Sequence, residues 1–234
     1  MTKDVIIACD FPCREDTLAF LDRLGNRRPY LKIGMELYYA EGPALVRELK
    51  ARGHRLFLDL KLHDIPNTVE KAMAVLAGLE VDMVNVHAAG TRAMMEAALR
   101  GAVRPDGTRA RVIAVTQLTS TSQERMQSEL LISASLADTV LSYARNAQAA
   151  GLDGVVCSAL EAEAVHTACG NGFLTVTPGI RFADGDVGDQ VRVATPARAR
   201  ELGADFIVVG RPITQAPDPA AAYERCLNEF CKGA

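Results

Sequence analysis

The densest cluster of reactive side chains in the chain is Phe57-Leu58-Asp59-Leu60-Lys61-Leu62-His63-Asp64-Ile65-Pro66-Asn67-Thr68. In an extended strand, residues two apart share a face, so Asp59 and Lys61 point the same way with Phe57 below them. Leu58, Leu60 and Leu62 then occupy the other face. A carboxylate beside an ammonium favours the protonated amine. Such a lysine is an acid and an electrostatic clamp rather than a Schiff-base nucleophile, which needs a depressed pKa. Asp10, Lys32 and Asp64 extend the pair into an alternating network of charge. One pair alone reads equally well as an ordinary ion pair at a strand end; the network argues for chemistry.

A second constellation lies late in the chain. Thr177-Pro178-Gly179-Ile180-Arg181 and Val208-Val209-Gly210-Arg211-Pro212-Ile213 each set glycine and arginine after an apolar run. Glycine lets backbone N–H groups approach an anion, and arginine adds a charged bidentate donor, so the pair points to a phosphorylated ligand. Thr116 and Thr119 follow another apolar run, and His87 ends a fourth as a candidate ligand contact. His54 and His166 read as surface or packing residues, and His63 as facing away from the site. No HxH, HExxH or Cys/His spacing suggests a metal. Asp59, Asp64 and a third carboxylate would suit Mg²⁺, but Lys32 and Lys61 would crowd it, so no metal is expected.

These residues need a scaffold. Strands are expected at 5–9, 30–33, 56–60, 83–86, 112–116, 154–157, 174–177 and 206–209. Helices are expected between them at 16–24, 42–51, 68–79, 91–101, 136–150, 160–169, 196–202 and 220–231. Eight strand–helix units predict an α/β fold, a single (β/α)8 TIM barrel spanning residues 1–234, whose active site collects at the C-terminal strand ends. A doubly wound open sheet would need a GxGxxG-type turn after its first strand, where this chain has Cys9-Asp10-Phe11-Pro12. Asn67-Thr68 are expected to cap the third helix and Thr195-Pro196 to start the seventh. Gly53, Gly151 and Gly203 sit where helices must stop. Two polar stretches, 119–128 and 183–189, follow strands five and seven and are lid candidates.

Composition narrows the class. Of 234 residues, 49% are hydrophobic and 24% charged, enough apolar material for one sizeable core. Twenty-six Lys and Arg against 29 Asp and Glu give −3, with no long basic run and no Trp, which argues against nucleic acid as a partner. The apolar runs are too short to cross a bilayer, and the first ten residues carry no signal-peptide core. Six cysteines without a CxxC pair read as free thiols, and a cytoplasmic location is expected.

The segment Asp59-Leu60-Lys61-Leu62-His63-Asp64-Ile65-Pro66-Asn67-Thr68 resembles the DxKxxDIPNT signature of the orotidine 5′-phosphate decarboxylases of bacterial type. Asp10, Lys32-Ile33-Gly34, Val115 to Ser120, Thr177 to Arg181, Gln190 and Val209 to Ile213 follow in that family's order, over essentially the whole chain. The resemblance implies a cofactor-free decarboxylation of orotidine 5′-monophosphate to uridine 5′-monophosphate, the last step of de novo UMP synthesis. It implies Lys61 as proton donor to C6, flanked by Asp59, with Asp64 and Lys32 completing the catalytic array. Asp10 and Lys32 would hold the ribose, Thr119 the pyrimidine edge and Pro178 the base. Gln190, Gly210 and Arg211 would hold phosphate, with Arg181 nearby. It further implies a homodimer in which Asp64, Ile65 and Thr68 reach the other subunit's site.

Two other readings stay open. A Mg²⁺-dependent sugar-phosphate decarboxylase or synthase of the same barrel group shares the DxKxxD core but typically carries a metal-binding Glu where this chain has Lys32. A non-catalytic nucleotide-phosphate sensor would need the anion site but not the Asp59–Lys61–Asp64 array.

Overall fold

Each apolar, β-branched run forms a strand, and each strand pairs in parallel with the next. They are β1 (Asp4–Cys9), β2 (Tyr30–Gly34), β3 (Leu56–Leu62), β4 (Met83–His87), β5 (Arg111–Val115), β6 (Gly154–Val156), β7 (Leu174–Thr177) and β8 (Phe206–Val209). β8 returns to β1, with Asp4 opposite Phe206 and Ile7 opposite Val209, so the sheet closes as an eight-stranded barrel. This is the TIM-barrel fold expected from the sequence. The computed structural model describes residues 3–184 and 193–233.

Helices wrap the barrel: α1 (Arg14–Arg23), α2 (Met35–Ala51), α3 (Pro66–Ala77), α4 (Thr91–Ala102), α5 (Gln123–Glu129), α6 (Leu136–Ala149), α7 (Ala159–Cys169), α8 (Pro196–Glu201), α9 (Arg211–Thr214) and α10 (Pro219–Leu227). Alternation along the strands divides the apolar residues. Ile6, Tyr30, Phe57, Met83, Ile113, Leu174 and Phe206 fill the barrel interior. Val5, Leu31, Leu58, Val84, Val112, Val155 and Ile207 face the helices.

The helices depart from expectation in several places. α3 begins at Pro66 with Ile65 before it and no side-chain cap, so Asn67 and Thr68 lie inside the first turn. Proline, with φ already helical and no amide to satisfy, starts the helix unaided. α2 reaches back to Met35, because Gly42 (φ 63°) kinks two helical segments ahead of Pro43 where the sequence suggested a start. α5 forms inside the polar stretch 119–128, capped by the Ser122 side chain. Thr195 caps α8 through the Arg198 amide as anticipated, and Gly53, Gly151 and Gly203 take left-handed φ values after their helices.

The N-terminal end of the barrel holds a repeated device. Asp82, Asp153 and Asp205 immediately or closely precede β4, β6 and β8. Each accepts an amide at the start of the preceding strand: Leu56, the first residue of β3, at 2.8 Å, and Val112 and Thr175, the second residues of β5 and β7, at 2.7 Å and 2.8 Å. Each also meets a basic group: Lys50, Arg109 and His166 respectively. Strand-edge donors that would otherwise be left open are thereby satisfied.

Candidate active site

The inward positions at the C-terminal strand ends surround a cavity of about 560 Å³. Its floor is apolar: Ala8, Phe57, Val156, Val176 and Val208. Its charged wall comes from β1 to β3. Lys32 on β2 is buried, and its Nζ donates to Asp10 Oδ1 at 3.0 Å and lies 3.2 Å from Asp59 Oδ2. Lys61 Nζ donates to Asp59 Oδ1 at 2.6 Å. Asp10, Lys32, Asp59 and Lys61 thus alternate in sign along one connected row. Gly34 leaves room for it, since a Cβ there would stand 3.2 Å from both Asp10 Oδ1 and Lys32 Nζ.

The row keeps its charges. Burial alone would push the Lys32 ammonium down, but Asp59 and Asp10 outweigh it and hold the pKa above the usual lysine value. Burial would raise Asp59, yet Lys32, Lys61 and a hydrogen bond from Asn85 hold it below the usual carboxylate range. At His87 burial dominates, and with His63 and Lys61 adding like charge, its pKa falls below the ordinary imidazole value.

Across the cavity stand Pro178, Gly179 and Arg181 after β7, and Gly210 and Arg211 at the junction of β8 and α9. This is where barrels place phosphate, between the last two loops and a short extra helix. Between the row and the arginines, Gln117, Leu118, Thr119 and Ser120 form the edge.

Most of the residues expected at the site therefore line one cavity: Asp10, Lys32, Asp59, Lys61, Thr119, Pro178, Arg181, Gly210 and Arg211. Asp64, Ile65 and Thr68 do not. They are exposed beyond the end of β3, and Asp64 Oδ1 accepts its neighbour's amide from Ile65 at 2.6 Å. Within this chain the array consequently lacks Asp64. Gln190, and most of the lid candidate 183–189, lie outside the described residues. Thr116 turns away from the cavity and donates to the Val156 carbonyl at 2.9 Å. Gln117, one residue on, faces inward in its place, as strict alternation from Ile113 and Val115 would have indicated. His87 lies behind the cavity wall with the His63 ring 5.6 Å away. His63 lies past the end of β3, so strand parity does not govern where it points. Among the described residues, no group of three or more His, Cys, Asp or Glu is placed to hold a metal ion, and no helix is long and apolar enough to cross a membrane.

Two functional features escape inspection of the sequence. One is Asn85, buried on β4, which donates to Asp59 Oδ1 at 2.7 Å. The other is the backbone at Lys61, whose φ of 51° is left-handed. That conformation costs a non-glycine residue roughly 1 kcal/mol or more and tends to mark functional positions.

Comparison with known proteins agrees with this geometry. An orotidine 5′-phosphate decarboxylase of Geobacillus thermodenitrificans is 58% identical over 236 residues, covering 100% of this chain and 99% of that protein. One from Bacillus licheniformis is 58% identical, covering 96% of this chain and 95% of that protein. The crystal structure of orotidine 5′-phosphate decarboxylase from Lactobacillus acidophilus superposes with a TM-score of 0.88 at 40% identity, covering 97% of this chain and 99% of that one. The model of the orotidine 5′-phosphate decarboxylase / HUMPS family matches residues 3–226. The chain belongs to the orotidine 5′-phosphate decarboxylase / HUMPS family.

Proposed function

We propose that the chain decarboxylates orotidine 5′-monophosphate to uridine 5′-monophosphate, with the Asp10–Lys32–Asp59–Lys61 row and the Arg181/Arg211 end of the cavity dividing the work. The observation that carries this reading is the lysine pair itself. A Mg²⁺-dependent sugar-phosphate enzyme of the same barrel group would need an oxygen ligand where β2 presents Lys32. Lys32 instead sits 3.0 and 3.2 Å from two carboxylates as their cationic partner. The curated relatives at 54–58% identity carry the decarboxylase name.

The chemistry demands such a row. When the C6–carboxylate bond breaks, its electron pair stays on an sp² ring carbon in the ring plane and cannot spread into the π system. Stabilisation must come from a preorganised positive charge beside C6. The Lys61 ammonium supplies it and then transfers a proton to C6, leaving CO2, the nucleotide product and a neutral amine that regains its proton from solvent. Asp59 holds Lys61 in place, and its negative charge faces the substrate carboxylate. Lys32 and Asp10 take the ribose hydroxyls, Thr119 the pyrimidine edge and Pro178 the base. Gly210, Arg211 and Gln190 take the phosphate, with Arg181 beside them. Binding energy from that remote phosphate can be used at the reacting carbon.

Asp64, Ile65 and Thr68 enter this scheme through a second copy of the chain. Ile65 is 65% exposed beside Asp64, outside its own cavity. In a homodimer that packs these loops against the neighbouring site, each Asp64 would extend the other subunit's row. The whole chain would then act as one catalytic domain within a pair.

The test is direct. Protein stripped of divalent ions with a chelator is mixed with orotidine 5′-monophosphate, and the substrate's ultraviolet absorbance is followed. Steady loss of absorbance with release of CO2, unaffected by added Mg²⁺, is expected. Turnover that depends on Mg²⁺, or none at all with this substrate, would overturn the reading.

A further inference from the structure

β3 and β4 run in register through Phe57–Met83 and Leu58–Val84, then again at Leu62–Val86. Between those points β3 spends three residues, Asp59, Leu60 and Lys61, against the single residue Asn85. The strand therefore bulges at the two residues that carry the chemistry, and the bulge strips Lys61 of a backbone partner on β4. The Asn85 side chain repairs the break. Its Oδ1 accepts the Lys61 amide at 2.8 Å, and its Nδ2 donates to Asp59 Oδ1 at 2.7 Å. The same Asp59 oxygen receives the Lys61 ammonium at 2.6 Å. Asn85 is 1% exposed and does not line the cavity.

We propose that Asn85 is the positioning residue that holds Lys61 in its left-handed backbone conformation and Asp59 at the matching angle, so that the ammonium points at the reacting carbon. This rests on the decarboxylase reading above. A primary amide is suited to the task because it offers one acceptor and one donor from a single planar group. A hydrophobic residue of the same branched shape would leave the Lys61 amide unpaired and would free Asp59 to rotate. The bulged backbone at Lys61 would then relax toward φ < 0 and carry the amine away from C6.

Two variants separate positioning from space-filling. Asn85→Leu keeps the branched skeleton and loses both bonds; a displacement of about 1 Å at a reacting group lowers rate by about 100-fold, so kcat should fall by that order with KM unchanged. Asn85→Asp restores both bonds only while its carboxyl is protonated. Two carboxylates sharing one site raise the pKa of one of them. Asn85→Asp should therefore approach wild-type kcat at low pH and lose it as pH rises, a pH dependence that wild type does not show over the same range. A wild-type enzyme that turns over orotidine 5′-monophosphate while folded Asn85→Leu keeps kcat within twofold would overturn the proposal and leave the decarboxylase reading intact. The proposal is equally overturned if Asn85→Leu and Asn85→Asp fall by the same factor at every pH, which is the signature of a packing role. Wild type without turnover would instead sink the decarboxylase reading itself, and this inference with it.

Discussion

At the level of single residues, the row works because each charge is held by the next. Lys32 and Asp59 have side chains only 11% and 13% exposed, and neither could stay ionised alone at that depth. Much of this was legible in the sequence, since alternation on one strand puts Asp59 and Lys61 together whatever the fold. The left-handed φ of Lys61 was not, because nothing in the side-chain pattern marks a bulge that only the register against the neighbouring strand reveals. Asp64 shows the opposite limit. Sequence proximity suggested that it joins the row, but the chain turns into α3 immediately after it and carries it outward. At the anion end, Arg211→Ala tests the proposed phosphate contact by removing its charged donor. The expected loss is on the order of 3 kcal/mol in transition-state binding, about 100-fold in kcat/KM. Steady-state kinetics with orotidine 5′-monophosphate that match wild type would remove Arg211 from the phosphate site.

At the level of elements, the strands were almost fully legible, because β-branched runs separated by helix-length segments leave few alternatives to a parallel barrel. Helix starts were less so. Pro66 outranks the polar side chains after it, and Gly42 reads equally as a start or as a kink. The three aspartates before β4, β6 and β8 carry no signature beyond their position, and only the pairing of neighbouring strands brings each to an amide at the start of the strand before it. Asp205 is the most deeply set of the three. It accepts from the Thr175 amide and hydroxyl and meets His166 at 3.1 Å. Asp205→Ala leaves those donors buried without a partner and should lower stability by roughly 2–4 kcal/mol. Urea unfolding measures this, and kcat of the folded variant should hold, since the cavity lies at the other end of the barrel. A midpoint unchanged from wild type would show that the device contributes nothing.

For the whole molecule, the barrel segregates its tasks. The N-terminal end is tied by ion pairs and strand caps, and the C-terminal end gathers charge around a cavity. What one chain lacks is as informative as what it holds, for Asp64, Ile65 and Thr68 belong to the expected site and point elsewhere. If two copies share sites, mixing inactive Lys61→Ala with impaired Asp64→Asn forms hybrid dimers in which one site has Lys61 from one chain and Asp64 from the other, both intact. Turnover should then rise above that of either variant alone after subunit exchange. No gain, with exchange verified by differently tagged chains, would confine each site to its own chain.

The role of Lys61 is tested most directly by Lys61→Ala, assayed for turnover of orotidine 5′-monophosphate and, on the same sample, for binding of uridine 5′-monophosphate by calorimetry. On the proposed assignment the variant loses the proton donor and keeps the phosphate and ribose contacts, so nucleotide binding should persist while turnover disappears. A variant that binds the nucleotide and still releases CO2 within tenfold of the wild-type rate would contradict the assignment of the C6 proton to this amine.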